Sequence, residues 1–505
     1  MSQENQGLTS HALSGMFWTA WGSGASAALR IVVLIALARL LSPADFGVVG
    51  AGLVVITLST TVSQLGLGPA LVQRPTLATD HIQTAFVASA VLGLGLAGLL
   101  WITAPVLAGF FHMAGLEGVL RWLSVLFPLR GVGTVAENLL QRELRFRFLA
   151  NAEVLTYGLG YGLLGILLAW LGWGMWSLVA AQLAQTILYA AALLAVRPPR
   201  LRPAPTWTAF RDLLSFGGGF TVARLANLVA DQGDNLVVGR TLGAEPLGLY
   251  TRAFQLMSVP ATLFGNILDR VLFPTMARCQ HDLTRLAAAY HRGCAAVALA
   301  MLPVSLVVLV LAPEIVVVAF GPRWLGVIPP LQIFAVGLMF RTSYRMSDSL
   351  ARATGAVYRR AWRQILFAAL VVGCAWVGSR WGITGVAWGV LASHIANFLF
   401  MAHLSVRVTH SRWREFIVPH LPAIALGLVA GAFAWGTVEP LRVAEVHPML
   451  RLVAASIATV LGVGVLAWRF PVRLLGPHGI WMRDVLWKYL PSHRTPAPSA
   501  TGSGR

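Results

Sequence analysis

"RLLSPADFG" (residues 39–47) and "RTLGAEPLG" (residues 240–248) are two copies of one phrase. Each has Arg first, Leu third, an apolar residue eighth and Gly ninth, and the copies stand 201 positions apart. Each is a short polar interruption between long apolar runs, so each closes a hairpin of two helices. A similar offset recurs further on. "RGVGTVAENL" (130–139) aligns with "RTSYRMSDSL" (341–350) at 211 positions, pairing Arg130 with Arg341 and Glu137 with Asp348. "GMWSLV" from Gly174 meets "GVAWGV" from Gly385 at the same 211. The first half of the chain is therefore expected to be repeated in the second.

Composition sets the class. The 505 residues are 57% hydrophobic and only 11% charged, with a mean hydropathy of +0.71. A soluble domain carries roughly 25% charged residues, and a membrane-crossing helix needs about 20 apolar ones. Such runs follow each other here almost without pause. They are continuous, which excludes the alternating pattern of a membrane β-barrel. The expectation is an all-α polytopic membrane protein of about 14 spans, from 12–40 to 449–469. Pro105, Pro128 and Pro303 fall inside spans, where membrane helices tolerate them. The N-terminal stretch lacks a basic region and a cleavage site, so the first span is expected to stay.

The formal charge of +19 follows the topology. Even-numbered loops carry clusters such as Arg142, Arg145 and Arg147, or Arg359, Arg360 and Arg363, whereas odd-numbered loops carry little beyond Arg240, Arg323 and Arg442. The positive-inside rule then places both termini in the cytoplasm of a cell-membrane (inner-membrane) protein. The basic residues face anionic lipid headgroups and do not indicate nucleic acid. The tail "HGIWMRDVLWKYLP" (478–491) reads either as an interfacial helix or as a solvated segment, and 495–505 reads as disordered.

Ionisable residues inside spans are costly and face a cavity or a partner. The candidate cavity cations are Arg30, Arg130, Arg224, Arg252, Arg341 and Arg345. Glu137, Asp231, Asp234 and Asp348 are candidates for charge pairing or ion coupling. Arg130 and Glu137 lie two helical turns apart on one face, and Arg341, Arg345 and Asp348 follow at i, i+4 and i+7. Two readings stay open: the arginines neutralise carboxylates locally, as Arg130–Glu137 and Arg345–Asp348, or they line a central space. Arg252 and Arg341 have no acid of their own nearby in sequence. A surplus of Arg points to an anionic ligand, with phosphate the natural match for a guanidinium fork.

Other motifs exclude functions. GxGxxG occurs at Gly93, Gly95 and Gly98 and again at Gly160, Gly162 and Gly165. Both lie inside apolar spans with no preceding strand, so close helix packing is expected in place of dinucleotide binding. Lys488 is the sole lysine, which excludes a Walker A loop. There is no HExxH, no disulfide framework among Cys279, Cys294 and Cys374, and no loop large enough for a catalytic domain. No enzyme activity, metal or cofactor is expected. His394 and His403 read as single packing or pore-lining residues.

The runs "LLQRELRFRFL" (139–149), "DNLVVGRTLGAEPLGLYTRAFQLMSVP" (234–260) and "FGVVGAGLVVITLSTTVSQLGLGPALVQR" (46–74) resemble Wzx-type polysaccharide and O-antigen flippases of the colanic-acid-type subgroup. These belong to the multidrug/oligosaccharidyl-lipid/polysaccharide exporter superfamily. The resemblance covers about residues 10–420. It implies two six-helix lobes, 1–205 and 206–412, in a MATE-like V, then two extra spans within 413–475 and a tail of 476–505. It also implies transport of oligosaccharide on undecaprenyl diphosphate to the periplasmic leaflet by alternating access, with Arg252 at the diphosphate. The implied partners are the lipid-linked oligosaccharide, membrane lipids and polysaccharide polymerase or assembly proteins. Asp269 beside Arg270 has no place in that pattern. The alternatives are a cation-coupled multidrug exporter, which would want an acidic cavity, and a non-transporting scaffold, which would not need charge stripes.

Overall fold

The computed structural model describes residues 24–63, 71, 78–198, 206–207, 211 and 227–489, and all their regular structure is helical. The first helices are α1 (24–40), α2 (Pro43–Ser63), α3 (Thr79–Phe111), α4 (Leu116–Leu123), α5 (Leu126–Arg142), α6 (Phe146–Thr156), α7 (Leu164–Trp170) and α8 (Met175–Val196). Then come α9 (227–241), α10 (Ala244–Arg278), α11 (Leu283–Ala319), α12 (Ile328–Ala353), α13 (Val357–Gly378) and α14 (Gly382–Thr409). The C-terminal part holds the short α15 (Trp413–Ile417), then α16 (Leu421–Val443), α17 (Pro448–Arg469), the one-turn α18 (Pro471–Leu474) and α19 (Gly476–Tyr489).

Ten helical stretches among the described residues are long and apolar enough to cross a membrane. One of them, 358–409, holds both α13 and α14. The chain is a multi-pass membrane protein. Pro105, Pro303 and Pro313 all sit inside continuous helices, as the bilayer permits. The expected first and seventh spans begin before the described parts of α1 and α9. Residues 495–505 also lie outside the described set.

The helices form two compact units. The first comprises residues up to Val259 together with Val316–Ile333 and Ala361–His394. Small residues set its spacing. Gly93 of α3 lies against Pro128 of α5, and Gly131 of α5 lies against the Ser89 backbone. Below them Leu71, Phe86, Val135, Ala136, Leu140 and Leu193 form a closed apolar core. The opposite face of α3 turns Ile102 (76% exposed) and Val106 (74%) outward, which suits lipid. Of the first GxGxxG only Gly93 makes a close approach, since nothing lies within 4 Å of Gly95 or Gly98. In the second, Gly160 meets the Gln185 backbone, Gly162 meets Val33 and Gly165 meets Ala181.

The span expected at 147–171 is not one α-helix. Residues Tyr157–Leu163 form a π-helical turn between α6 and α7. The span expected at 118–140 is likewise broken, at Ser124, into α4 and α5.

The doubled phrase folds as two turns that cross each other within this unit. A Cβ at Gly47 would overlap the carbonyl of Ala244, and a Cβ at Gly248 would overlap the carbonyl of Pro43. Each turn also reaches the end of a more distant helix. Arg39 donates to the carbonyls of Val318 and Ala319 at the C-terminus of α11, where cations are favoured. Arg240 contacts His112, just beyond α3, and lies 4.9 Å over the Phe110 ring. Trp324, fully buried, donates to Ala38 O at 2.8 Å and packs edge-on against Phe46.

The second unit comprises Pro260–Ile315, Phe334–Arg360 and Ile395 onward. Leu311, Ala434, Val438 and Ala455 join α11, α16 and α17 in one apolar cluster. At its edge Arg442 forks onto Glu314, at 2.8 Å and 2.7 Å to the two carboxylate oxygens, and donates also to Val310 O at 3.0 Å. Glu314 is 3% exposed. Removing one partner of a buried pair strands the other charge, at about 3–5 kcal/mol. Arg442→Ala is therefore expected to lower the melting temperature in detergent by several degrees, whereas Arg442→Ala combined with Glu314→Gln recovers much of the loss. Equal melting of all three proteins would show the pair to be idle.

The tail segment is helical as α19. Gly476 abuts Pro422, Gly479 abuts Leu299, and Arg292 lies 4.9 Å over the Trp481 ring. Partial burial, and then the neighbouring Arg292 charge, hold the His478 imidazole below its ordinary pKa.

Candidate functional site

In the first unit α1, α2, α5, the π-turn, α8 and α10 enclose a cavity of about 350 Å³. The size falls within the range of small-ligand sites. Arg30, Arg130 and Arg252 all line it. Three of the six expected cavity cations are thus brought together, from helices up to 222 residues apart in sequence.

Their partners differ. Arg30 is half-exposed and donates to Glu153 at 3.0 Å. Its guanidinium also lies 5.2 Å over the Tyr157 ring. Arg252 lies 4.6 Å over the Phe46 ring and donates through Nη1 to Gln255 Oε1. Its Nε is buried with no hydrogen-bond partner among the described residues. Neither Arg252 nor Arg130 has a carboxylate partner among the described residues. The local pair Arg130–Glu137, one of the two open readings, does not form; Glu137 instead accepts a hydrogen bond from Gln141 at 3.2 Å. Partly buried charge without a counter-charge is unfavourable.

The remaining wall is neutral and polar. Tyr157 and Tyr161, one turn apart, stack with ring centroids 5.2 Å apart and an interplanar angle of 14°. The close approach of Gly160 to α8 sets Gln182 and Gln185 beside them. Sequence reading by charge missed Phe46, Tyr157, Tyr161, Gln182, Gln185, Gln255 and Glu153. The usable signals were the i, i+4 tyrosines and the i, i+3 glutamines.

The other expected site residues lie elsewhere. Asp234 is buried and accepts from Tyr250 Oη at 2.8 Å, tying α9 to α10. Asp231 is exposed on α9. Arg341, Arg345 and Asp348 belong to the second unit. There Gly265 leaves room for the Arg345 guanidinium. Asp348 pairs with Arg352 at 3.1 Å and with Arg360, so the expected Arg345–Asp348 pair is not formed. Arg224 lies outside the described residues, as do the side chains of Asp269 and Arg270. His394 contacts Val390 O and Phe367, and His403 stacks on Trp413, both as packing residues. No cluster that could hold a metal is found among the described residues.

This helical order is shared with solved exporters. A lipid II flippase MurJ in an inward closed conformation superposes with a TM-score of 0.73 at 11% identity, covering 93% of this chain and 99% of the other. An inward-facing multidrug resistance MATE family transporter of the MOP superfamily gives 0.62 at 17%, covering 76% and 95%. The fold is that of this transporter superfamily. By sequence, the chain belongs to the polysaccharide biosynthesis protein family, whose model matches residues 36–329. Among relatives, the teichuronic acid biosynthesis protein TuaB of Bacillus subtilis is 24% identical, covering 89% of this chain and 94% of its own. The succinoglycan biosynthesis transport protein ExoT of Rhizobium meliloti is 28% identical (82% and 89%), and the lipopolysaccharide biosynthesis protein WzxC of Escherichia coli 25% (81% and 84%).

Proposed function

We propose that this chain is a flippase that carries an oligosaccharide on undecaprenyl diphosphate from the cytoplasmic to the outer leaflet of the cell membrane, for assembly of a surface polysaccharide. The observation that carries the reading is the pair Arg130 and Arg252, two guanidinium groups without carboxylates in one cavity of a membrane-embedded unit. A diphosphate supplies the missing negative charge and fits a guanidinium fork. The names of the relatives, tied to the biosynthesis of teichuronic acid, succinoglycan and lipopolysaccharide, support the same direction. A cation-coupled drug exporter would need an acidic cavity, and this one is basic. The reading assigns no covalent step and no cofactor. The proposed partners are the lipid-linked oligosaccharide, membrane lipids and the proteins that polymerise and assemble the glycan.

The two lobes, 1–205 and 206–412, are the alternating-access halves in this proposal, and Arg224, Arg341 and Arg345 are proposed as further substrate-binding cations of the second lobe. The reciprocal crossing of the doubled turns supports that division. For ion coupling, Glu137 is the strongest of the candidate acids, because Asp234 serves Tyr250 and Asp348 serves two arginines. The direct test is reconstitution. Proteoliposomes holding a fluorescent short-chain polyprenyl diphosphate sugar should lose their protected inner-leaflet fraction to a membrane-impermeant quencher within minutes. Protein-free rates would overturn the proposal.

Both termini are placed in the cytoplasm on the loop charge asymmetry. Alkaline phosphatase fused after Arg202 should be inactive in cells, and fused after Val443 active. The reverse pattern would invert the topology.

A further inference from the structure

Resting on the flippase reading, we propose that the ring pair Tyr157–Tyr161 with Gln182, Gln185 and Gln255 is a subsite for the first sugar of the glycan, beside the arginines that hold the diphosphate.

A diphosphate explains the arginines and leaves the rest of the wall unexplained. It accepts hydrogen bonds only, and it has no apolar face. The wall offers two aromatic rings and amides that both donate and accept. A pyranose matches that set: its C–H face packs on a ring and its hydroxyls exchange hydrogen bonds with amides and phenols.

Packing is the competing account, and the chain contains its own comparison. The two fully buried tyrosines have their hydroxyls engaged. Tyr250, fully buried, donates to Asp234 at 2.8 Å, and Tyr290, fully buried, is 2.9 Å from Ser347 Oγ. That is how a buried Tyr is normally completed. Tyr157 and Tyr161 face the cavity, and neither hydroxyl has a hydrogen-bond partner among the described residues. The Gln185 amide, also at the cavity, has none either. Three neutral polar groups aimed into one space and left unused are what a hydroxylated ligand requires. Gln255 adds a link between the two parts, because its Oε1 already accepts from Arg252 and its amide nitrogen is left to donate. The π-turn and Gly160 are the means by which the ring pair comes against α8 and its glutamines.

The test measures binding to the purified full chain in lipid nanodiscs by native mass spectrometry. The probes are undecaprenyl diphosphate and the same lipid carrying glucose, galactose or N-acetylglucosamine. At least one sugar lipid should bind about tenfold tighter than the bare lipid, as one or two neutral hydrogen bonds and a ring contact give. Tyr157→Leu with Tyr161→Leu should erase that preference, lowering sugar-lipid affinity more than bare-lipid affinity, and Gln185→Leu should reduce it. Tyr157→Phe with Tyr161→Phe keeps the rings and controls for folding; it should retain part of the preference. A preference that survives the Leu variants would overturn the subsite, as would equal loss of both lipids, which assigns the rings to the diphosphate. Wild-type protein that binds every lipid alike overturns the subsite alone. Wild-type protein that binds none overturns the flippase reading with it.

Discussion

Arg252→Ala is expected to abolish polymer export in a strain that depends on this chain, with the protein inserted at its normal level. The partly buried guanidinium lies over Phe46, is held by Gln255, and has a buried donor to spare at Nε. Truncating one side of a buried charged contact costs about 2–5 kcal/mol, at least about thirtyfold in affinity. Arg252→Lys should recover only part of the activity, because an ammonium is a point charge where the fork contacts two oxygens. Stability provides an independent sign. If Arg252 awaits a ligand, Arg252→Met removes an unfavourable buried charge and should leave the melting temperature unchanged or raise it. A structural Arg would give the opposite. Normal export by the Ala variant at equal expression would remove Arg252 from the site.

Gly47→Val and Gly248→Val should each cost more than the about 1–3 kcal/mol of ordinary overpacking. The atoms in the way are the backbone carbonyls of Ala244 and Pro43, which cannot turn aside as a side chain can. Loss of folded protein is the expected result, read as yield and melting by size-exclusion chromatography with fluorescence detection. Gly50→Ala is the control on the same helix. Nothing lies within 4 Å of its Cβ position, so it should be neutral or stabilising by up to about 1 kcal/mol. Similar behaviour of Gly47→Val and Gly50→Ala would mean that the turns do not meet.

Much of this could be read before any coordinates. Apolar runs of spanning length mark a membrane chain whatever their tertiary arrangement, and the doubled turn marked the helix ends that cross. The arginines were visible because charge in an apolar run is conspicuous. Their partners were not visible, because pairing is settled in three dimensions. Asp348, set out at i+7 from Arg341, is taken by Arg360 across the α12–α13 turn and by Arg352. Glu137 turns to Gln141 and leaves Arg130 without an acid. The tyrosines and glutamines of the cavity raised no signal, since neutral polar residues in a span are common and cheap compared with ions. The π-turn was illegible for a related reason. It accompanies the approach of Gly160 to α8; the glycine spacing announced a close approach, and nothing local named the helix that makes it.

The crossing of the two turns has a symmetry with evolutionary weight. Gly47 meets Ala244 and Gly248 meets Pro43, so the same two positions of the phrase meet each other in exchange. That is the arrangement found across the axis of a homodimer, where one patch recognises its own copy. A gene encoding a single copy of this turn would already encode both sides of the contact, and fusing two such genes would require no new surface. The crossing also restricts substitution at both turns. A larger residue at either glycine has to be accommodated by the backbone of the other turn, whose own glycine is held by the first. The two nonapeptides therefore cannot drift independently, and 201 residues of intervening change have left their last residue the same.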